Sequence, residues 1–198
     1  MIYYVCKYTP IELFRGFGEE CSVLEEMPEN FEQSDQIAHA NLCGFGKSVI
    51  QAVLEGKVEN LVLVNCCDSM RRVYDIVEST GKCKFLYLLD LPHEDNECEK
   101  VKYAQAIMRL KKAYEKFSGK TFDKEAFLNS FTENETEMKP YIGLMGVRVT
   151  GILEKMIRDN IQMDVDNLTC TGGRQLAVVP EQMRQMDEEK MFLAYADA

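Results

Sequence analysis

Apolar residues along the chain are grouped in short runs that alternate with amphipathic stretches. Four of these runs, each about the length of one strand, cover residues 2–7, 20–27, 60–65 and 84–90. The stretches between them place apolar residues three or four positions apart, most clearly over residues 48–56 and 68–80, which predicts helices. The run over residues 60–65 is rich in valine and leucine and ends in polar residues, as is typical of a parallel strand buried on both faces. The repeated order of strand and helix therefore predicts an α/β fold with a doubly wound parallel sheet and helices on both faces.

The second half of the chain begins with a long charged helix and changes character at a polar linker. The helices and the linker are predicted over residues 94–118, 121–131 and 132–139. Beyond the linker, a strand, a helix, a weak strand, a polar loop and a final helix are predicted over residues 141–146, 147–160, 162–165, 166–174 and 191–198. This order indicates a second α/β unit. We therefore expect an N-terminal α/β domain over residues 1–136 and the start of a second, incomplete α/β domain over residues 137–198.

The charge balance narrows the classes of partner. The chain has 198 residues with 33 acidic and 23 basic side chains, and a formal net charge of −10. An excess of acidic residues disfavours binding to nucleic-acid phosphates and to an anionic membrane surface. No apolar run approaches the roughly 18 residues of a membrane span, and the N-terminus lacks the basic start of a signal peptide. We expect a cytoplasmic protein with no nucleic-acid and no membrane partner.

The eight cysteines are the residues best suited to chemistry. No pair has C-x-x-C spacing, and a cytoplasmic chain keeps its thiols reduced, so neither a zinc ribbon nor a disulfide framework is expected. Cys43 stands before a Gly-Phe-Gly turn, and Cys67 follows the run over residues 60–65, where the next helix should begin. A thiolate at a helix N-terminus is stabilised by the helix dipole, and such thiolates hold iron–sulfur and zinc sites.

On spacing alone, two packed thiols near a strand end explain this pair equally well. We predict that four other thiols act as small buried hydrophobes, as free cysteines usually do: Cys6, Cys21, Cys83 and Cys98.

An ordered series of motifs extends over nearly the whole chain. Its members are Tyr8-Thr9-Pro10-Ile11-Glu12-Leu13-Phe14 with Gly16, His39-x-Asn41-x-Cys43, Asn65-Cys66-Cys67-Asp68-Ser69-Met70-Arg71-Arg72-x-Tyr74-Asp75, Leu89-Asp90-Leu91-Pro92, Tyr141-Ile142-Gly143-Leu144-Met145-Gly146 and Cys170-Thr171-Gly172-Gly173-Arg174. In this order they resemble the D-component family of the 2-hydroxyacyl-CoA dehydratases, whose subunits are also similar to those of benzoyl-CoA reductase. The ordered series is far more specific than any one of its members.

The resemblance implies two flavodoxin-like α/β domains with an oxygen-sensitive [4Fe–4S] cluster between them. It further implies an ATP-hydrolysing activator, itself an iron–sulfur protein, that injects one electron so that water is eliminated from a 2-hydroxyacyl-CoA by a radical route. A second homologous subunit completes the substrate pocket. Cys43 and Cys67 match the family's two cluster ligands from the N-terminal domain, with Cys66 as an alternative. The third ligand is expected outside this chain, because Cys170 matches a position that is not a ligand in the family.

Two further residues are catalytic candidates. Glu12 matches an acid that the family carries after a proline, near the substrate; its other interpretation is a first-turn acid that satisfies the helix dipole. His39 would hydrogen-bond a substrate carbonyl or a cluster sulfur, although a lone histidine near a helix start is more often a packed or capping residue.

Three functions stay open at this point. The leading one is the iron–sulfur subunit of a 2-hydroxyacyl-CoA dehydratase-like lyase in anaerobic metabolism. The alternatives are a double-cubane-type or benzoyl-CoA-reductase-like reductase subunit, and a non-catalytic iron–sulfur carrier or accessory protein.

Overall fold

A four-stranded parallel sheet forms the centre of the molecule. The computed structural model describes residues 1–25, 27–131, 140–146, 148–173 and 180–197. The strands of the main sheet are β1 (Ile2–Tyr4), β2 (Cys21–Val23), β3 (Asn60–Val64) and β4 (Phe85–Leu89). They lie in the order β2-β1-β3-β4, and every neighbouring pair is parallel. This is the strand order with which a flavodoxin-like sheet begins, so the predicted α/β fold is confirmed.

Helices cover both faces of this sheet. They are α1 (Ile11–Arg15), α2 (Glu32–Ile37), α3 (Gly44–Leu54), α4 (Asp68–Thr80), α5 (Glu97–Ser118), α6 (Lys124–Asn129), α7 (Gly151–Asn160), α8 (Pro180–Arg184) and α9 (Glu188–Asp197). For this strand order, the rule that crossovers are right-handed puts α3 and α4 on one face and α1 on the opposite face, and α3 and α4 pack against each other. There the ring of Phe14 in α1 meets the ring of Tyr114 in α5 edge-on, with 5.1 Å between centroids.

The apolar pattern accounts for the central strand and the helix after it. Leu61 through Val64 in β3 are fully buried, as expected for a strand covered on both faces. In α4, Met70, Val73 and Val77 are buried at helical spacing, and the helix stops at Gly81, whose φ of +62° is readily adopted by glycine.

The start of α3 differs from the prediction. The pattern places a helix from Ser48, after a Gly-Phe-Gly turn, whereas α3 begins at Gly44, directly after Cys43. The glycines are tolerated because the side chain of Cys43 caps the helix and because Gly46 lies in the contact with α4. A Cβ built on Gly46 would approach a methyl group of Val73 to 3.0 Å.

The polar stretch over residues 28–35 has no pattern that predicts a helix, yet α2 begins at Glu32. Its backbone is held from outside the segment, because the side chain of Gln51 in α3 accepts a hydrogen bond from the N–H of Ser34 at 2.9 Å. Tertiary contacts of this kind leave no local signal in the sequence.

A second parallel pair of strands follows in the chain. The strands β5 (Tyr141–Leu144) and β6 (Asp164–Asn167) pair in parallel, and α7 connects them, which gives the second α/β unit its expected order. The helices α8 and α9 pack back on the first unit, where the ring of Phe192 lies 5.8 Å from that of Phe127. The predicted division between residues 136 and 137 lies outside the described residues and stays a prediction. None of the helices in the described ranges is long and apolar enough to cross a membrane.

Candidate functional site

The candidate site lies at the carboxyl-terminal edge of the main sheet. The strand order reverses between β1 and β3, and ligands of open α/β sheets bind in the crevice outside the strand ends at such a point. Cys6 and Lys7 follow β1 at this edge, and Cys66 and Cys67 follow β3. The helix α3 runs back toward the start of β3, so its N-terminus with Cys43 lies at the same edge.

Cys43 and Cys67 each stand immediately before the first residue of a helix. The sulfur of Cys43 accepts a hydrogen bond from the backbone N–H of Gly46 at 3.4 Å, which is the bond that a serine or aspartate N-cap would accept. Cys67 occupies the N-cap of α4 in extended conformation. Both residues are exposed. Each residue is therefore exposed at the N-terminus of a helix, which is the positive end of the helix dipole.

Cys66 differs from its neighbour. Burial of its sulfur raises the pKa of the Cys66 thiol to about 11, and the adjacent Cys67 adds to the rise. Its backbone N–H donates to the carbonyl of Val64 at 2.9 Å, so the chain turns sharply just after β3. Cys66 is also an exposed residue, so it stays the alternative ligand.

Three polar side chains near these thiols are connected by hydrogen bonds. The guanidinium Nε of Arg71 donates to Oδ1 of Asn65, and Nδ2 of Asn65 donates to Oδ1 of Asp90 at 2.9 Å. These hydrogen bonds fix the ends of β3 and β4 beside a cleft of about 300 Å³. The side chains of His93, Lys102 and Arg109 also line this cleft.

Glu12 lines a second cleft, of about 270 Å³, at the end of β1 and β2. Its carboxyl group is buried, and Oε2 accepts a hydrogen bond from the hydroxyl of Tyr195 at 2.6 Å. Lys7 and Arg15 bring positive charge to the same cleft, and Cys170 belongs to its wall. The structure therefore places Glu12 in a cleft with cations, and Tyr195 is a partner that sequence reasoning did not find.

His39 has a local role in the structure. Its Nδ1 accepts a hydrogen bond from the backbone N–H of Asn41 at 3.1 Å, which leaves the proton of the neutral ring on Nε2. The residue is exposed and lines neither of the two clefts described above. The structure does not bring His39 together with Glu12.

Arg148 is a residue that the sequence reasoning missed. One guanidinium nitrogen donates to the carbonyl of Val5 at 2.7 Å, and another donates to the carbonyl of Leu24 at 2.6 Å. The guanidinium also lies over the ring of Phe45, 3.8 Å from its centroid. Burial lowers the pKa of Arg148, which nevertheless stays a cation at neutral pH. Arg148 thus connects the ends of β1 and β2 with the first turn of α3.

Cys6 and Cys170 form a thiol pair at this edge. The interaction of the two thiols raises the pKa of Cys6 and lowers that of Cys170. That interaction, with the positive charges of Arg148 and Lys7, brings the pKa of Cys170 to about 6. Cys6 is buried, as predicted, but its interaction with Cys170 was not predicted.

The donors present suit an iron–sulfur cluster in kind, because thiolates are its usual ligands. Within the described residues, however, no group of three or more cysteine, histidine or acidic side chains is assembled that would hold a metal ion. The assignment of Cys43 and Cys67 as ligands stays a prediction.

Comparison with known proteins agrees with the order of motifs. The family model described as the D-component of 2-hydroxyglutaryl-CoA dehydratase matches residues 6–148. The matched range includes Glu12, His39, Cys43, Cys66 and Cys67 and ends before Cys170. No curated protein matches the chain.

Proposed function

The chain belongs to the 2-hydroxyglutaryl-CoA dehydratase D-component family, and on that premise we propose that it is the iron–sulfur subunit of a 2-hydroxyacyl-CoA dehydratase-like enzyme. One observation carries the proposal. Within the matched range, two exposed cysteines, Cys43 and Cys67, occupy the N-cap positions of two helices that pack together and begin at the same sheet edge.

In this proposal Cys43 and Cys67 hold a [4Fe–4S] cluster, and the remaining ligand comes from outside this chain. When bound, the cluster supplies a Lewis-acidic iron and a path for a single electron. The two helix N-termini stabilise the negative charge of the thiolates. The hydrogen bond from Gly46 to the sulfur of Cys43 acts in the same direction, because hydrogen bonds to a thiolate lower its charge density.

Glu12 is proposed to move a proton on the 2-hydroxyacyl-CoA. Its place in the cleft supports this role, and the hydroxyl of Tyr195 orients the carboxyl group from behind. Lys7 and Arg15 bring positive charge to the same cleft, which favours an anionic ligand such as an acyl-CoA. His39, with its proton on Nε2, remains a candidate donor to a substrate carbonyl or a cluster sulfur.

The family membership supports an enzyme with more than one component. We propose two partners: an ATP-dependent iron–sulfur activator that delivers the electron, and a second homologous subunit that completes the substrate pocket.

Anaerobic reconstitution with iron and sulfide tests the ligand assignment. The chain should develop a brown chromophore with about four irons per cluster. Cys43→Ser and Cys67→Ser should each abolish it, whereas Cys98→Ser should not. Cys98 was predicted to be buried, but it is exposed in the first turn of α5, so it is a control thiol that also lies near a helix N-terminus.

Cys66→Ser separates the two neighbouring thiols. If this change abolishes the chromophore and Cys67→Ser leaves it, Cys66 is the ligand and our choice is wrong. Failure of the chain to form any chromophore, alone or with its partner subunit, would remove both the dehydratase and the carrier functions.

Turnover separates the enzyme from a carrier. With activator, ATP and a 2-hydroxyacyl-CoA, the dehydratase subunit should support release of water, and Glu12→Gln should reduce kcat while the chromophore is retained. A chain that takes up an electron and passes it to another iron–sulfur protein, without acyl-CoA turnover, would instead be the carrier.

A further inference from the structure

The thiols of Cys6 and Cys170 come together from distant parts of the chain. Cys6 follows β1, and Cys170 lies in the loop after β6. The backbone N–H of Lys7 donates to the carbonyl of Cys170 at 2.8 Å, which holds the two segments side by side. With the backbones fixed in this way, the two thiols lie close enough for each to shift the pKa of the other.

The loop that carries Cys170 is held by its own polar side chains. Oγ1 of Thr169 donates to Oδ1 of Asn167 at 2.6 Å and accepts from the backbone N–H of Val149 at 3.2 Å. Nδ2 of Asn167 donates to Oγ1 of Thr171 at 3.1 Å. This network holds the residues on both sides of Cys170, so the position of Cys170 beside Lys7 is fixed by the loop.

The two sulfurs differ in access. Cys6 is buried, with 3% of its surface exposed. Cys170 is half-buried and lines the cleft of about 270 Å³ with Lys7 and Glu12. A small reagent that enters this cleft therefore meets Cys170 first and Cys6 behind it.

Positive charge surrounds the accessible sulfur. Arg148 and Lys7 act on Cys170 electrostatically, and both favour its thiolate. Cys170 in turn acts on Cys66 and adds to the rise of its pKa, and Glu12 and Arg15 line the same cleft. A thiolate next to cations, with a second thiol in contact, has the features of a peroxide-reactive cysteine and its resolving partner.

We propose that Cys6 and Cys170 form a peroxide-reactive thiol pair, in which Cys170 reacts with a hydroperoxide and Cys6 closes a disulfide. In the first step the Cys170 thiolate attacks a peroxide oxygen; an S–O bond forms, the O–O bond breaks, and the leaving hydroxide takes a proton to become water. The sulfur is oxidised to a sulfenic acid and the peroxide is reduced.

In the second step the sulfur of Cys6 attacks the sulfenic sulfur. The S–S bond forms, the S–O bond breaks, and the leaving hydroxide carries away the Cys6 proton as water. Two thiols and one hydrogen peroxide thus yield one disulfide and two waters. Neither sulfur belongs to the proposed cluster ligands, so this chemistry is separate from the proposed dehydratase function.

Stoichiometric hydrogen peroxide, followed by non-reducing tryptic digestion and mass spectrometry, tests the pair. The digest should contain residues 1–7 linked to residues 159–174, two hydrogen atoms lighter than the sum of the two peptides. The same product should form when Cys43 and Cys67 are both replaced by Ser, which keeps the result independent of any cluster. A link from Cys170 to the peptide over residues 58–71, which holds Cys66 and Cys67, would overturn the proposal.

Single substitutions assign the two roles. Cys170→Ser should abolish the linked peptide, Cys6→Ser should leave a sulfenic acid on Cys170 that a 1,3-diketone probe traps, and Cys83→Ser should change neither. A sulfinic acid on Cys170 in the unsubstituted chain, with Cys6 still free, would show that Cys6 does not resolve the intermediate and would refute the pairing.

Alkylation of the unsubstituted chain gives a test that needs no variant. Iodoacetamide should modify Cys170 with a rate that rises through about pH 6, because its lowered pKa makes the thiolate dominant above that value. Cys83 is the matched half-buried thiol, and burial raises its pKa to about 11. At pH 7 we expect Cys170 to react on the order of 100-fold faster, after allowance for the lower nucleophilicity of a low-pKa thiolate. Equal rates would contradict the activated state of Cys170.

Discussion

The two parallel sheets of this chain are held in place in different ways. In the main sheet, all residues from Leu61 to Val64 in β3 are fully buried between helices. In the second unit, no residue of α7 is buried, and Ile152 and Met156 are 78% and 60% exposed. The first unit therefore contains its own core. The second has the order of an α/β unit, but the described residues form only a small core there.

Because of this difference, the two sides of the site at the sheet edge are held by different interactions. The strands of the first unit are fixed by their own burial, and hydrogen bonds among Arg71, Asn65 and Asp90 add to this at the ends of β3 and β4. The loops of the second unit are fixed largely by polar contacts to the first, chiefly the hydrogen bonds of Arg148 to Val5 and Leu24 and of Lys7 to Cys170. A site that uses both units thus depends on a few directional bonds.

The largest expected difference in stability is between a substitution in the core of the first unit and one on α7 of the second unit. Leu63→Ala should lower the free energy of unfolding by about 4 kcal/mol, because it leaves a cavity beneath the helices. Ile152→Ala, on the exposed face of α7, should lower it by less than about 0.5 kcal/mol. Urea unfolding followed by circular dichroism measures both. Equal losses would mean that α7 is covered in solution and would remove the distinction between the units.

The second contrast concerns the connection between the units. Arg148→Met should cost about 3 kcal/mol, because it removes two charge-assisted hydrogen bonds and a cation–π contact and leaves two backbone carbonyls without this donor. It should also slow alkylation of Cys170, since a cation next to the thiolate is lost.

The matched control is Arg158→Met. Arg158 pairs with Glu154 one turn away on α7 at 2.6 Å, at a partly exposed site, so its loss should cost about 0.5 kcal/mol or less. If the two arginine variants unfold alike, Arg148 does not connect the units.

The smallest expected difference in stability is between two tyrosine variants that each lose one hydroxyl group. Tyr195→Phe should cost about 2 kcal/mol, because the buried carboxyl group of Glu12 loses a donor at 2.6 Å. Tyr141→Phe in β5 should be nearly neutral, since Tyr141 is 53% exposed. Thermal unfolding under identical buffer conditions compares the two. A neutral Tyr195→Phe would mean that Glu12 is oriented by other groups.

The sequence was informative where structure depends on neighbouring residues. The burial of β3, the stripe of Met70, Val73 and Val77 in α4 and the glycine stop at Gly81 follow from period and composition. Residues that directly follow parallel strands lie at the carboxyl-terminal edge of the sheet. This edge rule likewise placed Cys66 and Cys67 at the site. These features need only local patterns and the general geometry of α/β sheets.

The remaining features depend on pairs far apart in the chain. Tyr195 reaches Glu12 across 183 positions, and Arg148 reaches Val5 across 143. Such contacts depend on which helices and loops meet, which no local pattern encodes. One signal was available for Cys6: it follows β1 just as Cys66 follows β3, so the same edge rule brings their thiols to one side of the sheet.

Gly46 offers a way to adjust the site without altering a thiol. It lies in the first turn of α3, three positions after Cys43, and a Cβ there would come within 3.0 Å of Val73 in α4 and 3.2 Å of Leu42. A methyl group at this position would work as a spacer between the two helices whose first residues follow Cys43 and Cys67. The distance between the two sulfurs can thus be changed in small steps by changing the size of residue 46.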